Sequence, residues 1–169
     1  MSREKILCMY SGGIDSTGML YTLLTDKKYE EYDIHVHFVI LVNILNRYKA
    51  EINAVNSCIE WFKNNCRSFA LTTNIIDFSF LKTNIISDSD IYNFVAGEIV
   101  MFSDYKYVAI GKTKNDLPTN EDCERILKSQ KIFDTILSNR NTIKLYPVDN
   151  LTKEEVWNML PIELRDKTW

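Results

Sequence analysis

The sequence predicts a doubly wound α/β fold, a mostly parallel sheet of five strands with helices on both faces. Three observations carry this expectation. Short apolar runs alternate with segments of helical periodicity along the whole chain. The run DIHVHFVILVN (33–43) is nearly continuous in β-branched and apolar residues, as in a strand buried on both faces. A turn with two glycines, SGGIDS (11–16), separates the first apolar run from the first helical pattern. In sheets of this kind, ligands sit at the carboxyl ends of the strands.

The elements follow in order. EKILCMY (4–10) reads as the first strand. Met19, Leu20, Leu23 and Leu24 recur at helical spacing, so a helix runs to about Thr25. The second strand is 33–43. In NRYKAEINAVNSCIEWFKNN (46–65), Ala50, Ala54, Val55, Cys58, Ile59 and Phe62 share one face of an amphipathic helix. SFALTTNIIDF (68–78) reads as a third strand. A break at SDSD precedes a helix whose inner face is expected to carry Phe94, Val95, Ile99 and Phe102. KYVAI (106–110) is a strand that ends at Gly111, and the polar loop KTKNDLPTNEDC follows it. A helix from about Asn120 to Leu137 would turn Ile126, Leu127, Phe133, Ile136 and Leu137 inward, and TIKLYPV (142–148) is the last strand. Thr152 and Glu155 form a capping box for EEVWNML, which Pro161 closes. With no repeat, linker or shift in composition, one domain is expected.

Composition narrows the function classes. A chain of 169 residues with a net charge of −3 and no Lys/Arg block is not expected to bind nucleic acid through a basic surface. No apolar run approaches the roughly 20 residues that span a membrane, and the N-terminus lacks the pattern of a signal peptide. The four cysteines (Cys8, Cys58, Cys66 and Cys123) are scattered without a CxxC pair, so no zinc site is expected and a reduced cytoplasmic setting is. The aromatic residues Trp61, Phe62, Phe94, Phe102, Phe133 and Trp157 are expected mostly in the core.

SGGIDS carries the chemistry. Glycines open backbone conformations closed to other residues and admit a ligand close to the chain. Consecutive N–H groups at the mouth of a helix bind anions, helped by the helix dipole. Ser11, Gly12, Gly13, Ile14, Ser16 and Thr17 would line such a site, the serines donating to phosphate oxygens. Asp15 does not suit an anion pocket unless a divalent cation joins it to the phosphates, and Mg²⁺ is held in that way. The alternative is a plain strand-to-helix turn with a Ser or Asp cap. Gly111-Lys112-Thr113 is not a Walker A loop, since position 106 is Lys rather than Gly, and no GxGxxG is present.

SGGIDS resembles the SGGxDS loop of the N-type ATP pyrophosphatases, the PP-loop superfamily. The resemblance implies an adenine nucleotide alpha hydrolase-like, Rossmann-like fold that splits ATP between its α and β phosphates and transfers AMP to a substrate oxygen. NRYKAE (46–51), IGKTKNDLPTNEDC (110–123), LYPVDNLTKEEV (145–156) and the final TW are similar in sequence and order to segments of the 7-cyano-7-deazaguanine synthases. This implies ATP and Mg²⁺ as cofactors, a deazapurine or other carboxylate or amide acceptor, and ammonia as the nucleophile, in queuosine-type biosynthesis. On the same resemblance, Phe38, Val39 and Ile40 would meet adenine through their backbone, and Gly111 would border the nucleotide. Arg47, Tyr48 and Lys49 would meet the acceptor. The chain departs from that family in three places. Its sequence stops at Trp169, where the family continues into a four-cysteine zinc cluster; DIYNF replaces a Pro-Gly-Arg stretch; and NRY replaces QRH. A non-catalytic or regulatory ATP/AMP-binding module and an RNA-modifying PP-loop enzyme are the alternatives. A homo-oligomer is expected.

Other residues keep two readings. Lys112 or Lys114 would neutralise charge on the α-phosphate, or lie in a solvated loop. Asp116 is a second metal ligand, a substrate contact or a turn-stabilising residue. Arg47 and Lys49 begin a helix, which is unfavourable for cations unless an anion sits there. Asp122 is expected to cap the helix after Thr119. His35 and His37 share a strand face, either as part of an HxH metal pair or as packed histidines.

Overall fold

A computed structural model describes residues 3–43, 45–81, 87–116, 122–137 and 140–169, with only the backbone of residues 122, 123, 125 and 126. The strands are β1 (Lys5–Tyr10), β2 (Asp33–Val42), β3 (Ala70–Asp77), β4 (Tyr107–Ile110) and β5 (Ile143–Leu145). The helices are α1 (Ile14–Thr25), α2 (Tyr48–Asn65), α3 (Asp88–Met101), α4 (Asp122–Leu137), α5 (Lys153–Met159) and α6 (Ile162–Arg165). All strand pairs are parallel, in the order β3-β2-β1-β4-β5. The fold is therefore the expected doubly wound α/β sheet, and the order reverses between β1 and β4. That reversal opens a crevice at the carboxyl ends of these two strands.

The strand side chains alternate between two layers. Ile6, Cys8 and Tyr10 of β1 pack with Ile34, Val36 and Phe38 of β2 against α1, α2, α5 and α6. Leu7 and Met9 pack with Val39 and Val108 against Val95, Val100, Phe133 and Leu137 of α3 and α4. Both faces of the sheet are thus covered, which is why β1 and β2 read as unbroken apolar runs.

Two arginines close helix ends. Arg67, just before β3, donates to the carbonyls of Tyr32 (2.7 Å), Tyr29 (2.8 Å) and Leu23 (3.0 Å). Arg140 donates to Val100 (2.7 Å) and Ser103 (2.6 Å) at the end of α3. The Thr152–Glu155 capping box is present at the start of α5.

Several sequence expectations need correction. SDSD is not a break: Ser87 is the N-cap of α3, and Asp88–Asp90 form its first turn. The last strand is only Ile143–Leu145, and α6 follows Pro161. Phe94 (46% exposed), Phe102 (82%), Leu127 (55%) and Trp157 (41%) face outward. Phe94 and Trp157 are each next to a buried valine, Val95 and Val156, one helical step off the inner face, and Phe102 lies past the end of α3 as its C-cap. The predicted start of the fourth helix near Asn120 and the Thr119 end of the loop lie outside the described residues, as do the side chains of Asp122, Cys123 and Ile126.

Candidate nucleotide site

The SGGIDS turn joins β1 to α1 at the crevice. Gly12 has φ +78°, the left-handed region that glycine enters without strain, and a Cβ there would lie 2.9 Å from Val55 Cγ2. Gly13 is the N-cap of α1 and no side chain caps it. The first turn of a helix leaves its leading N–H groups without intrahelical acceptors, here those of Ile14, Asp15 and Ser16. Thr17 N–H is the first to close the ladder, on Gly13 O at 2.9 Å.

β4 reaches the same turn. A Cβ on Gly111 would fall 2.7 Å from Ser16 N and 2.8 Å from the Asp15 carbonyl carbon. Only glycine lets the end of β4 lie against the mouth of α1. The Ser11 and Ser16 hydroxyls are 3.1 Å apart, and Ser16 donates to Gly13 O at 3.0 Å. Trp169 fastens the turn from outside, its indole N–H on Ser11 O at 2.8 Å and its backbone N–H on Gly12 O at 3.3 Å.

These groups border a cavity of about 440 Å³. Its wall includes Ser11, Gly13, Ile14, Asp15, Ser16, Gly111, Lys153 and Trp169, with Met9 and Ile110 below and Ser89, Tyr92 and Asn93 of α3 opposite. The volume suits a nucleotide-sized ligand.

Asp15 and Lys153 set the electrostatics. Lys153 Nζ lies 3.2 Å from Asp15 Oδ2 and 3.4 Å from Asp116 Oδ1. Asp15 Oδ1 is buried with no partner among the described residues. Burial raises the Asp15 carboxyl above the ordinary value; Lys153 opposes this and Asp116 adds to it. Burial pulls Lys153 down, but the two carboxylates outweigh it and hold the ammonium above its ordinary value. A buried carboxylate oxygen without a donor, beside uncapped helix amides, has the chemistry of a position for a cation-bound anion. The residues thus fit a Mg²⁺–polyphosphate.

The sequence candidates separate into groups. Ser11, Gly13, Ile14, Asp15, Ser16 and Gly111 come together in the cavity wall, whereas Gly12 shapes the turn beneath Val55. Thr17 does not join them: it is fully buried, and its hydroxyl lies 3.1 Å from that of Tyr10. Phe38, Val39 and Ile40 put no side chain in the cavity wall, although β2 continues past Phe38, the partner of the last β1 residue, to Val42.

Lys112 is also outside the wall, its ammonium 5.7 Å from the centre of the Tyr146 ring. Lys114 Nζ lies 3.9 Å from Glu155. Asp116 takes the turn-stabilising role, accepting from Thr113 N at 2.9 Å and Thr113 Oγ1 at 2.8 Å. Burial raises its carboxyl, but Thr113 and Lys153 outweigh this and leave it below the ordinary value.

Arg47 stands at the N-cap position of α2 without a side-chain cap, beside an anion from the protein itself, the Asp88 carboxylate, and lies 5.8 Å from the Trp169 ring. Lys49 lies 5.9 Å from the ring of its neighbour Tyr48. His35 and His37 share Thr72, and no cluster of three or more His, Cys, Asp or Glu suited to a metal ion occurs among the described residues.

Sequence reasoning missed Lys153. The signal was there, since it is a cation in the first turn of a capped helix, the same unfavourable placement noted for Arg47. Its backbone N–H donates to Asn115 Oδ1 at 2.7 Å, and Lys114 N–H donates to Leu151 O at 2.8 Å. These bonds tie the β4 loop to the start of α5 and bring Lys153 over Asp15.

No family model matches the chain, and no curated protein does. No described helix is long and apolar enough to cross a membrane. Among solved structures, the chain is similar to the U34-tRNA thiolase NcsA from Methanococcus maripaludis with its [4Fe-4S] cluster, at 15% identity and a TM-score of 0.59. The match takes in 99% of this chain and 58% of the thiolase chain. A likeness at this identity establishes a shared fold, an α/β sheet of parallel strands covered by helices, and nothing further.

Proposed function

We propose that the chain is an ATP-dependent adenylating enzyme of the PP-loop kind. It cleaves ATP to AMP and pyrophosphate and activates a carboxylate or amide oxygen, in the manner of the 7-cyano-7-deazaguanine synthases, with ammonia as the nucleophile. The observation that carries this reading is the uncapped first turn of α1 in the wall of the cavity at the sheet's switch point, with Asp15, one of whose buried oxygens has no partner among the described residues, in that wall.

In this reading the amides of Ile14, Asp15 and Ser16 and the hydroxyls of Ser11 and Ser16 hold the departing pyrophosphate. Asp15 holds Mg²⁺, which supplies charge neutralisation when bound. Lys153 adds a fixed positive charge where negative charge develops, within a half-buried site that strengthens it. The backbone of β2 at Phe38, Val39 and Ile40 holds the adenine.

The test is incubation of the full chain with α-labelled ATP, Mg²⁺, ammonium chloride and a panel of carboxylate and amide acceptors. Equal release of AMP and pyrophosphate is expected. ADP and phosphate as the only products would overturn the reading, and so would ATP binding with no AMP from any acceptor, the outcome expected of a regulatory module. The fold neighbour is named for action on tRNA, so tRNA belongs in the panel. AMP release that depends on tRNA would replace the small-molecule acceptor with an RNA.

A further inference from the structure

Two hydrogen bonds from one residue hold consecutive peptides of the SGGIDS turn. Trp169 donates its indole N–H to Ser11 O at 2.8 Å and its backbone N–H to Gly12 O at 3.3 Å. The peptides here are trans, so each C=O and the N–H that follows it point in opposite directions. With the Ser11 and Gly12 carbonyls turned to Trp169, the N–H groups of Gly12 and Gly13 face away from it. Among the described residues neither N–H meets an acceptor, and nor do those of Ile14, Asp15 and Ser16. Five consecutive amides are left open, the arrangement by which a concave turn binds an anion.

Glycine makes that arrangement easy to lose. A peptide plane turns over through opposite changes in ψ of one residue and φ of the next, and glycine accepts either sign of φ. Gly12 stands at φ +78°. Turned over, the Ser11–Gly12 peptide would put a carbonyl oxygen where an N–H now stands, and its lone pairs would repel the anion that the amides attract. Among the described residues only Trp169 donates to these two carbonyls. Trp169 is itself held. Leu164 of α6 is fully buried, and Thr168 bonds back to Arg165 O through its N–H at 3.1 Å and its hydroxyl at 2.9 Å. The Arg47 guanidinium, paired with Asp88 at the start of α3, lies 5.8 Å from the indole ring, within the range of a cation–π contact.

We infer that Trp169 is the positioning residue of this turn. It fixes the Ser11–Gly12 and Gly12–Gly13 peptides in the orientation that leaves their N–H groups, with the three that follow, unpaired for a pyrophosphate. Its effect on the anion passes through the backbone of the turn, so it needs no contact with a reacting atom. The hold on the two peptides stands apart from the proposed function; the identity of the anion rests on it.

The test uses the full chain labelled with nitrogen-15 glycine, whose five glycines give one amide signal each. Trp169→Phe keeps a ring and the backbone bond and deletes the indole donor. Without ligand, relaxation dispersion should show new microsecond-to-millisecond exchange at Gly12, and less at Gly13, in the variant. Gly18 in α1 and Gly97 in α3 should stay unchanged. A shift of the Gly12 signal without exchange would report only the altered ring. Calorimetric titration with magnesium pyrophosphate should then give a dissociation constant about three- to tenfold weaker in the variant, the worth of one hydrogen bond. Exchange at all five glycines would overturn the inference, since it reports a general loosening, and so would the lack of new exchange at Gly12. Pyrophosphate bound equally by both proteins would overturn it while leaving the proposed function standing. New exchange at Gly12, with pyrophosphate bound by neither protein, would do the reverse.

Discussion

Lys153 holds its ammonium 3.2 Å from the Asp15 carboxylate, joining the first turn of α5 to the first turn of α1 across the mouth of the cavity. The pair is partly open to solvent, so its contribution to stability is small. Its value lies in fixing a positive charge beside the uncapped amides of the SGGIDS turn.

Lys153→Met should therefore reduce AMP formation by about 10²–10³-fold, the range for loss of one preorganised charge. Lys112→Met should change it by less than about threefold, because Lys112 lies over Tyr146 and outside the cavity. Steady-state pyrophosphate release on both variants checks this. Equal losses would mean that Lys153 has no special place in the site.

Gly111→Ala brings a methyl group against the backbone of α1, at 2.7–2.8 Å from Asp15 and Ser16 atoms. Backbone cannot rotate away as a side chain can. A destabilisation of about 1–3 kcal/mol is expected, with β4 and α1 forced apart. Denaturant unfolding reads the first effect. Nucleotide affinity, which should fall in the folded variant, reads the second.

Arg67→Ala removes the donor to three carbonyls that close α1 and the turn after it. Hydrogen bonds to a charged group contribute more than neutral ones, and the abandoned carbonyls are only partly reached by water. A loss of about 2–4 kcal/mol is expected with catalytic constants unchanged, because Arg67 is remote from the cavity wall. Calorimetry with kinetics below the transition separates the two. Arg67→Lys should recover only part of the loss, since a lysine lacks the planar fork that serves several acceptors at once.

Acid should loosen the β2–β3 pair. His37 Nε2 lies 3.0 Å from Asn74 Oδ1, and His37 Nδ1 lies 2.8 Å from Thr72 Oγ1. Thr72 is also 2.7 Å from His35 Nε2, whose Nδ1 meets the Tyr105 hydroxyl. With both rings neutral, one direction of donation satisfies the whole chain; a proton added to either ring turns its accepting nitrogen into a donor, so the Tyr105 or Thr72 hydroxyl must reverse to accept. Burial holds both histidines below the ordinary value of 6.5, joined for His35 by His37 and Lys5 and opposed for His37 by Asn74. The unfolded chain then binds more protons just below pH 6.5, so stability is full above that pH and declines as pH falls through the folded values. Melting temperatures between about pH 5 and pH 8 test this. A His37→Gln variant with an undiminished acid slope would exclude His37 as a source.

Much of the frame was legible because its signals are local. The alternation of runs, the glycines at the end of β1 and the Thr152–Glu155 box each lie within a few residues of one another. The cavity-facing Ser11, Gly13, Asp15 and Ser16 could be read for the same reason. The unfavourable first-turn placement of Lys153 was visible, but its target was not, because two hydrogen bonds dock α5 on the β4 loop, 38 residues away in one case. Lys112 shows the converse: a cation in the expected loop is drawn off by an aromatic ring that no spacing rule brings near. Phe94 and Trp157 show that apolar residues in a helix are not all on its buried stripe.

The grip of Trp169 on Ser11 and Gly12 also gives the protein an optical reporter. An indole whose N–H is bonded to a loop carbonyl, at the edge of the cavity, will change its emission when that loop shifts. Trp61 and Trp157, the other two tryptophans, do not line this space. Intrinsic fluorescence, with Trp169→Phe as the silent control, can therefore follow occupancy of the turn in real time without a label.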